Sequence, residues 1–318
     1  MERNNMLKMK EPKQKNRSSV ADKIKRHWQL YLMLLIPLSF VFVFNYMPYP
    51  GLRMAFMDYK PAKGWDSDWV GLATFQRVFS DRDFWRALRN TISMNLIQMI
   101  ASFPAPIILA LILNELHVKY FKRVSQTILY LPHFLSTVII ASVAYTLFKT
   151  DSGMVNVALT NAGIITEKIP FLTEKYHWVA TYVLINVWQG IGWGSIIYLS
   201  AITGINTELY EAAAVDGAGR FKRLIHITLP SIKPTIVMLL IMNIGGLLGS
   251  SFERLTAFGN VNVKEVQYQL SIYVFEKGIR GGGFSRSTAV GLFLSLVSLM
   301  LVLISDKVAK SLGEDGLI

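Results

Sequence analysis

Chemistry in this chain has to come from amides, hydroxyls and aromatic rings, because the usual reactive side chains are missing or scattered. With 0 cysteines, thiol catalysis, disulfides and Cys-zinc sites are excluded. The 5 histidines show no metal-ligand spacing. No G-x-x-x-x-G-K-[ST], H-E-x-x-H or G-x-S-x-G run occurs, and the glycine-rich stretch 278–284 lacks the Lys-Ser/Thr that would hold phosphate. What recurs is a polar stripe inside apolar surroundings. Tyr182, Asn186, Gln189 and Trp193 are spaced four, three and four, which puts them on one helical face. Thr91, Asn95, Gln98 and Ser102 repeat the pattern, and Asn243, Gly246, Ser250 and Glu253 form a third stripe. Such residues line a bundle interior or a water-filled cavity. They also serve as glue between helices, and both readings stand. Arg254, next to Glu253, is expected to snorkel to the interface, which leaves Glu253 as the pathway candidate.

The elements that must position these stripes are membrane spans. The 318 residues are 52% hydrophobic and 17% charged, against about 25% charged in a soluble domain. The apolar residues fall into six blocks, near 28–48, 90–116, 124–148, 178–205, 235–255 and 288–304. Each block is about the ~20 residues a helix needs to cross hydrocarbon. This excludes a soluble enzyme, a β-barrel, a disordered protein and a disulfide scaffold, and predicts an all-α, polytopic membrane protein. Pro37, Pro104, Pro106 and Pro132 lie inside blocks and predict kinks. Residues 1–27 form a polar leader carrying Arg3, Lys8, Lys10, Lys13, Lys15, Arg17, Lys23, Lys25 and Arg26. No cleavage site follows the first block. The leader is expected in the cytoplasm by the positive-inside rule, and six spans would return the C-terminus to that side. The leader and anionic lipid account for the net charge of +12 without nucleic acid. Residues 28–318 are the expected permease domain.

One inter-block segment, 206–234, is unlike the others. Asn206 is a good N-cap, and Glu208 and Glu211 favour the positive end of the helix it starts. Ala212-Ala213-Ala214 has the highest helix propensity. Gly217 stands where that helix should stop in a left-handed residue. Phe221, Leu224, Ile225 and Leu229 then define a second amphipathic helix ending near Pro230.

Glu211-Ala212-Ala213, Asp216-Gly217-Ala218, Ile227, Leu229-Pro230 and Pro234 resemble the EAA loop of ABC-importer transmembrane subunits. Pro48, Gly51, Tyr59, Trp69-Val70-Gly71, Phe84-Trp85 and Asn90-Thr91 look like the first span and outer loop of carbohydrate importers, as do Tyr130-Leu131-Pro132-His133 and the stretch 188–193. The likeness is greatest to importers of oligosaccharides and polysaccharide fragments. One departure is Asn206-Thr207, where the family often has a proline entering the loop.

The resemblance implies a type I ABC-importer permease with six spans in a bacterial cytoplasmic membrane. Its partners would be a second permease, two ATPase subunits, an extracellular substrate-binding protein, membrane lipid and an oligosaccharide substrate. The loop, with Glu211, Ala212, Ala213, Asp216, Gly217, Ala218, Leu229 and Pro230, would dock on the ATPase, which would bind ATP and Mg. The chain would hold no cofactor and no catalytic site of its own. Sugars offer hydroxyls and stacking faces, which suits the amide and aromatic stripes. A permease for another small solute is the alternative within the class. A membrane-embedded enzyme would need a His, Asp or Ser constellation, and none stands out.

Overall fold

The structure, a computed structural model, describes residues 24–116, 118–314 and 316–317, so residues 1–23 of the basic leader lie outside the described residues. The chain divides into two units, Met1–Arg53 and Met54–Ile318. In the first, α1 (Trp28–Val41) contains Pro37 and continues as a wider turn over Phe42–Tyr46. It buries no residue, and Leu34, Ile36, Phe40 and Phe44 are all exposed. A helix apolar all round belongs in lipid or a large core.

The second unit runs through α2 (Ala73–Phe79), α3 (Arg82–Ser102), α4 (Pro104–Glu115), α5 (Lys119–Tyr130), α6 (Thr137–Phe148), α7 (Met154–Asn161) and α8 (Lys175–Thr203). It then continues through α9 (Thr207–Val215), α10 (Lys233–Gly245), α11 (Phe252–Phe258) and α12 (Phe284–Ser311). Among the described residues the only β pairing is an isolated antiparallel bridge between Met57 and Trp69. The all-α expectation holds.

Two expected spans are broken. The block 124–148 is divided, because residues 119–134 and 137–148 meet at 105°. Pro132 sits in a tight turn over Leu131–Phe134, and the Ser136 hydroxyl starts α6 as a new cap by accepting from the Ile139 N–H. Proline has no N–H with which to continue the helical ladder. The block 235–255 stops at Gly245. Gly245, Gly246 and Gly249 weaken helix continuation there, and Ser251 caps the separate helix α11.

Among the described residues, length and apolarity qualify three helical stretches to cross a membrane, Trp28–Phe56, Arg82–Glu115 and Phe284–Ser311. The number rises to five when each of two bent pairs is one crossing. Helix α8 has 29 residues, about 44 Å at 1.5 Å each. It is long enough to span, but its amides and glycines hold it outside that set. The expected count of six is thus not reached by hydropathy.

Helix α8 is the spine of this unit. Helix α4 packs along it through Ala110, Tyr198, Leu199 and Ile202, joined by Ile232. Toward its other end Trp178 is fully buried and donates its indole N–H to the Phe258 carbonyl at 2.9 Å. Helix α5 crosses so closely at Gly192 that a Cβ there would lie 2.0 Å from the Leu129 carbonyl oxygen. Only glycine permits that approach.

Candidate functional site

The segment 206–234 folds as its residue types require. The Asn206 side chain accepts from the Glu208 N–H at 3.0 Å and donates to the Glu208 carboxylate at 3.1 Å. Its extended backbone gives α9 a defined entry without the family's proline. At the other end Gly217 has φ +72°. The Ala218 N–H reaches the Ala213 carbonyl at 2.8 Å, and the Gly217 N–H reaches Ala214 at 3.1 Å. This is the Schellman pattern, which satisfies carbonyls a helix otherwise leaves open.

A second helical stretch begins at Arg220–Arg223 and passes through a wider turn at Leu224–Thr228 to Leu229–Ser231. It ends just past Pro230 and bends 58° into α10. The hydroxyls of Tyr210 and Thr228, 2.9 Å apart, tie the two pieces together. Helix α9 buries no residue, and Glu211, Ala212, Asp216, Gly217, Leu229 and Pro230 are exposed, while Ala213 and Ala218 are half-buried. Val215 and Phe221, 89% and 74% exposed, add apolar surface without shelter.

The stripe residues separate into packing and free groups. Thr91 is fully buried, and its hydroxyl donates to the Ala87 carbonyl at 2.8 Å and accepts from the Leu270 N–H at 3.0 Å, so it packs. Tyr182 stacks on Trp178 and meets Phe258 edge-on. Gln189 is buried and donates to the Leu135 carbonyl at 3.3 Å. Trp193 is half exposed and lies flat on His133, with centroids 4.6 Å apart and planes within 1°. His133 follows Pro132 in the stretch Tyr130-Leu131-Pro132-His133, and the bend there brings it against Trp193, a contact that spacing along one helix cannot reveal.

The third stripe is not one helical face, because α10 ends at Gly245. Its members disperse. Asn243 and Gly246 line a cavity of about 160 Å³ with Asn95, Gln98, Ser102 and Gly249. Asn95 donates there to the Leu247 and Gly249 carbonyls at 2.7 and 2.6 Å. Ser102 donates to the Gln98 backbone carbonyl at 2.6 Å. The buried Gln98 Oε1 has no hydrogen-bond partner among the described residues. Ser250 instead accepts from the Ser271 N–H at 3.2 Å. Glu253 lines a different cavity, about 380 Å³, with Val138, Ser142 and Tyr145.

Arg254 corrects its expected role. Rather than snorkelling, its Nη1 donates inward to the Asn186 Oδ1 on α8. The Asn186 amide nitrogen is held by the Tyr182 carbonyl at 2.8 Å, which turns the oxygen toward the guanidinium. At the entrance to α8, Glu174 accepts from the Tyr176 and His177 N–H groups at 3.0 Å each. These bonds, the His177 N–H foremost, hold its carboxyl below the usual carboxylate range.

Long apolar helices, a polar cavity between two of them and an exposed helix–glycine–helix element define a polytopic membrane transport permease. Residues 84–313 match the family described as the binding-protein-dependent transport system inner membrane component. The chain belongs to that family, the permease subunits of ABC importers. It is 41% identical over 306 residues to the polygalacturonan/rhamnogalacturonan transport system permease protein YteP of Bacillus subtilis (strain 168), covering 96% of this chain and 95% of the relative. Protein LplB of the same strain is 40% identical over 295 residues, covering 92% of each. Among solved structures, a chain of a bacterial ABC transporter involved in the import of the acidic polysaccharide alginate superposes with a TM-score of 0.81. That chain is 36% identical, with 92% of this chain and 98% of that one covered.

Proposed function

We propose that this chain is the transmembrane subunit of an ATP-driven importer of oligosaccharides or polysaccharide fragments. The observation that carries the reading is the cavity between α3 and α10. It is lined by Asn95, Gln98, Ser102 and Asn243, has no charged residue and keeps one amide oxygen unpartnered. Such a surface exchanges hydrogen bonds with hydroxyls and has no counter-charge for a small ion, which argues against a small ionic solute such as phosphate or an amino acid. The names of the relatives, polygalacturonan/rhamnogalacturonan and arabinooligosaccharide permeases among them, support the same class of cargo.

In this reading the exposed loop 206–234 docks on a separate ATPase, which binds ATP and Mg. Glu211, Ala212, Ala213, Asp216, Gly217 and Ala218 form the docking helix and its turn, and Leu229 and Pro230 hold the return. Residues 28–318 form the permease domain, and the leader 1–27 and the C-terminus face the cytoplasm. A second permease completes the pathway, two ATPase subunits drive it, and an extracellular binding protein delivers the sugar. The solved alginate importer in complex with an alginate pentasaccharide-bound periplasmic protein supports that last partner. Trp193 and Asn243 are the pathway groups with free surface, joined by Gln98 in the cavity wall.

The test is reconstitution of the purified complex with its binding protein and measurement of ATP-dependent uptake over a panel of oligosaccharides. Uptake of a sugar supports the reading, and uptake only of an ion or amino acid refutes it. Glu211→Lys tests docking, because it removes an acid able to make a charge-assisted bond worth about 1.5–3 kcal/mol. ATPase should be lost from the purified complex while the permease stays in the membrane. Unchanged copurification would rule out this contact.

A further inference from the structure

Three arginines of the outer loops and adjoining helix ends have a carboxylate partner. Arg77 approaches Asp58 at 3.6 Å, Arg86 approaches Asp83 at 3.0 Å, and Arg286 approaches Asp81 at 3.6 Å. Arg254 does not, and among the described residues no carboxylate lies within 4 Å of it. It is half-buried, and one of its N–H groups is spent on Asn186. Asn186 lies 11 residues into α8 from Lys175, about 16 Å along the helix, so this is not a charge at the mouth of the bundle. Glu253 is the nearest acid in sequence, but neighbours on a helix point about 100° apart, and it lines its own cavity beside α6.

A guanidinium held inside a membrane protein is costly when it has no counter-charge. Here an amide takes one N–H of the fork, and among the described residues the guanidinium makes no other side-chain hydrogen bond. Arginine presents parallel N–H groups that match a carboxylate in two bonds. A neutral hydroxyl would use such a fork poorly.

We propose that Arg254, positioned by Asn186, binds the carboxylate of an acidic oligosaccharide, which makes it the residue that selects uronate-bearing chains over neutral ones. The assignment rests on the oligosaccharide reading above and narrows it to sugars that carry carboxylates.

The experiment compares uptake of trigalacturonate with that of its methyl ester in the reconstituted full complex with its binding protein. Wild type is set against Arg254→Gln and Arg254→Lys. The readout is the charged-to-neutral uptake ratio within each complex, which cancels differences in the amount assembled and in binding-protein affinity. Arg254→Gln should lower that ratio about tenfold, the scale of one charge-assisted hydrogen bond, and Arg254→Lys should fall between the two. A ratio unchanged in both variants, or equal loss of both sugars, makes Arg254 a packing residue and overturns the inference. Wild type importing the ester but not the acid overturns the inference alone. Wild type importing neither also overturns the inference, and the oligosaccharide reading is then judged separately by the panel above.

Discussion

Gly217 gives the sharpest test of how the loop transmits force. Its φ of +72° lies where a side chain is disfavoured, and nothing stands within 4 Å of the position a Cβ would take. Within this chain an added Cβ therefore meets nothing, and its cost comes from the backbone conformation. For an L-residue the left-handed conformation costs about 1–2 kcal/mol, roughly 5–30-fold in the population of the correct turn. Asparagine tolerates that conformation, alanine tolerates it less, and β-branched valine least. Substrate-stimulated ATPase activity of the purified complex should thus fall in the order Gly, Asn, Ala, Val, and protein level in the membrane should stay constant. The bonds from Gly217 to Ala214 and from Ala218 to Ala213 loosen in the same order, which hydrogen exchange of those two amides would report. If Gly217→Ala and Gly217→Val stimulate as well as Gly217→Asn, the turn geometry does not matter for coupling, and the reasoning fails.

Three further outcomes are expected. Gly192→Ala should lower the thermal stability of the complex by about 1–3 kcal/mol, the usual cost of overpacking, since its Cβ would meet the Leu129 carbonyl; an unchanged melting curve would show that α5 and α8 do not approach there. Trp193→Ala should reduce sugar uptake with normal stability, and buried Gln189→Leu should lower stability first, since it leaves the Leu135 carbonyl unpartnered. Single cysteines at 98, 193 and 243, in a chain with none of its own, should react with a water-soluble thiol reagent in at least one transport state, and uniform protection would move the pathway elsewhere. The depressed carboxyl of Glu174 means that its cap on α8 is intact above the ordinary glutamate range and is lost as pH falls through the lower folded value. The protection of the Tyr176 and His177 amides, taken relative to their intrinsic exchange rates at each pH, should therefore fall on acidification, and Glu174→Gln should remove that pH dependence.

The sequence alone determined the features that depend on neighbours along the chain. Asn206 and Gly217 bound α9 because capping and left-handed turns are settled by a few adjacent residues. The apolar runs marked where the long helices lie, closely for α8 (Lys175–Thr203) and less so for α12, which runs on to Ser311, because transfer out of water depends on composition. Pro132 announced the break at 131–136, but the one at 246–251 was harder to place, since an apolar run carries the same transfer free energy whether it is straight or bent. Only the tertiary structure decided which polar groups are satisfied. Thr91 meets Leu270, Asn95 meets Leu247, and Arg254 reaches Asn186 across 68 residues of chain. A stripe drawn from helical spacing cannot distinguish an amide that is already bonded from one that is free, because the bond depends on where a distant helix packs.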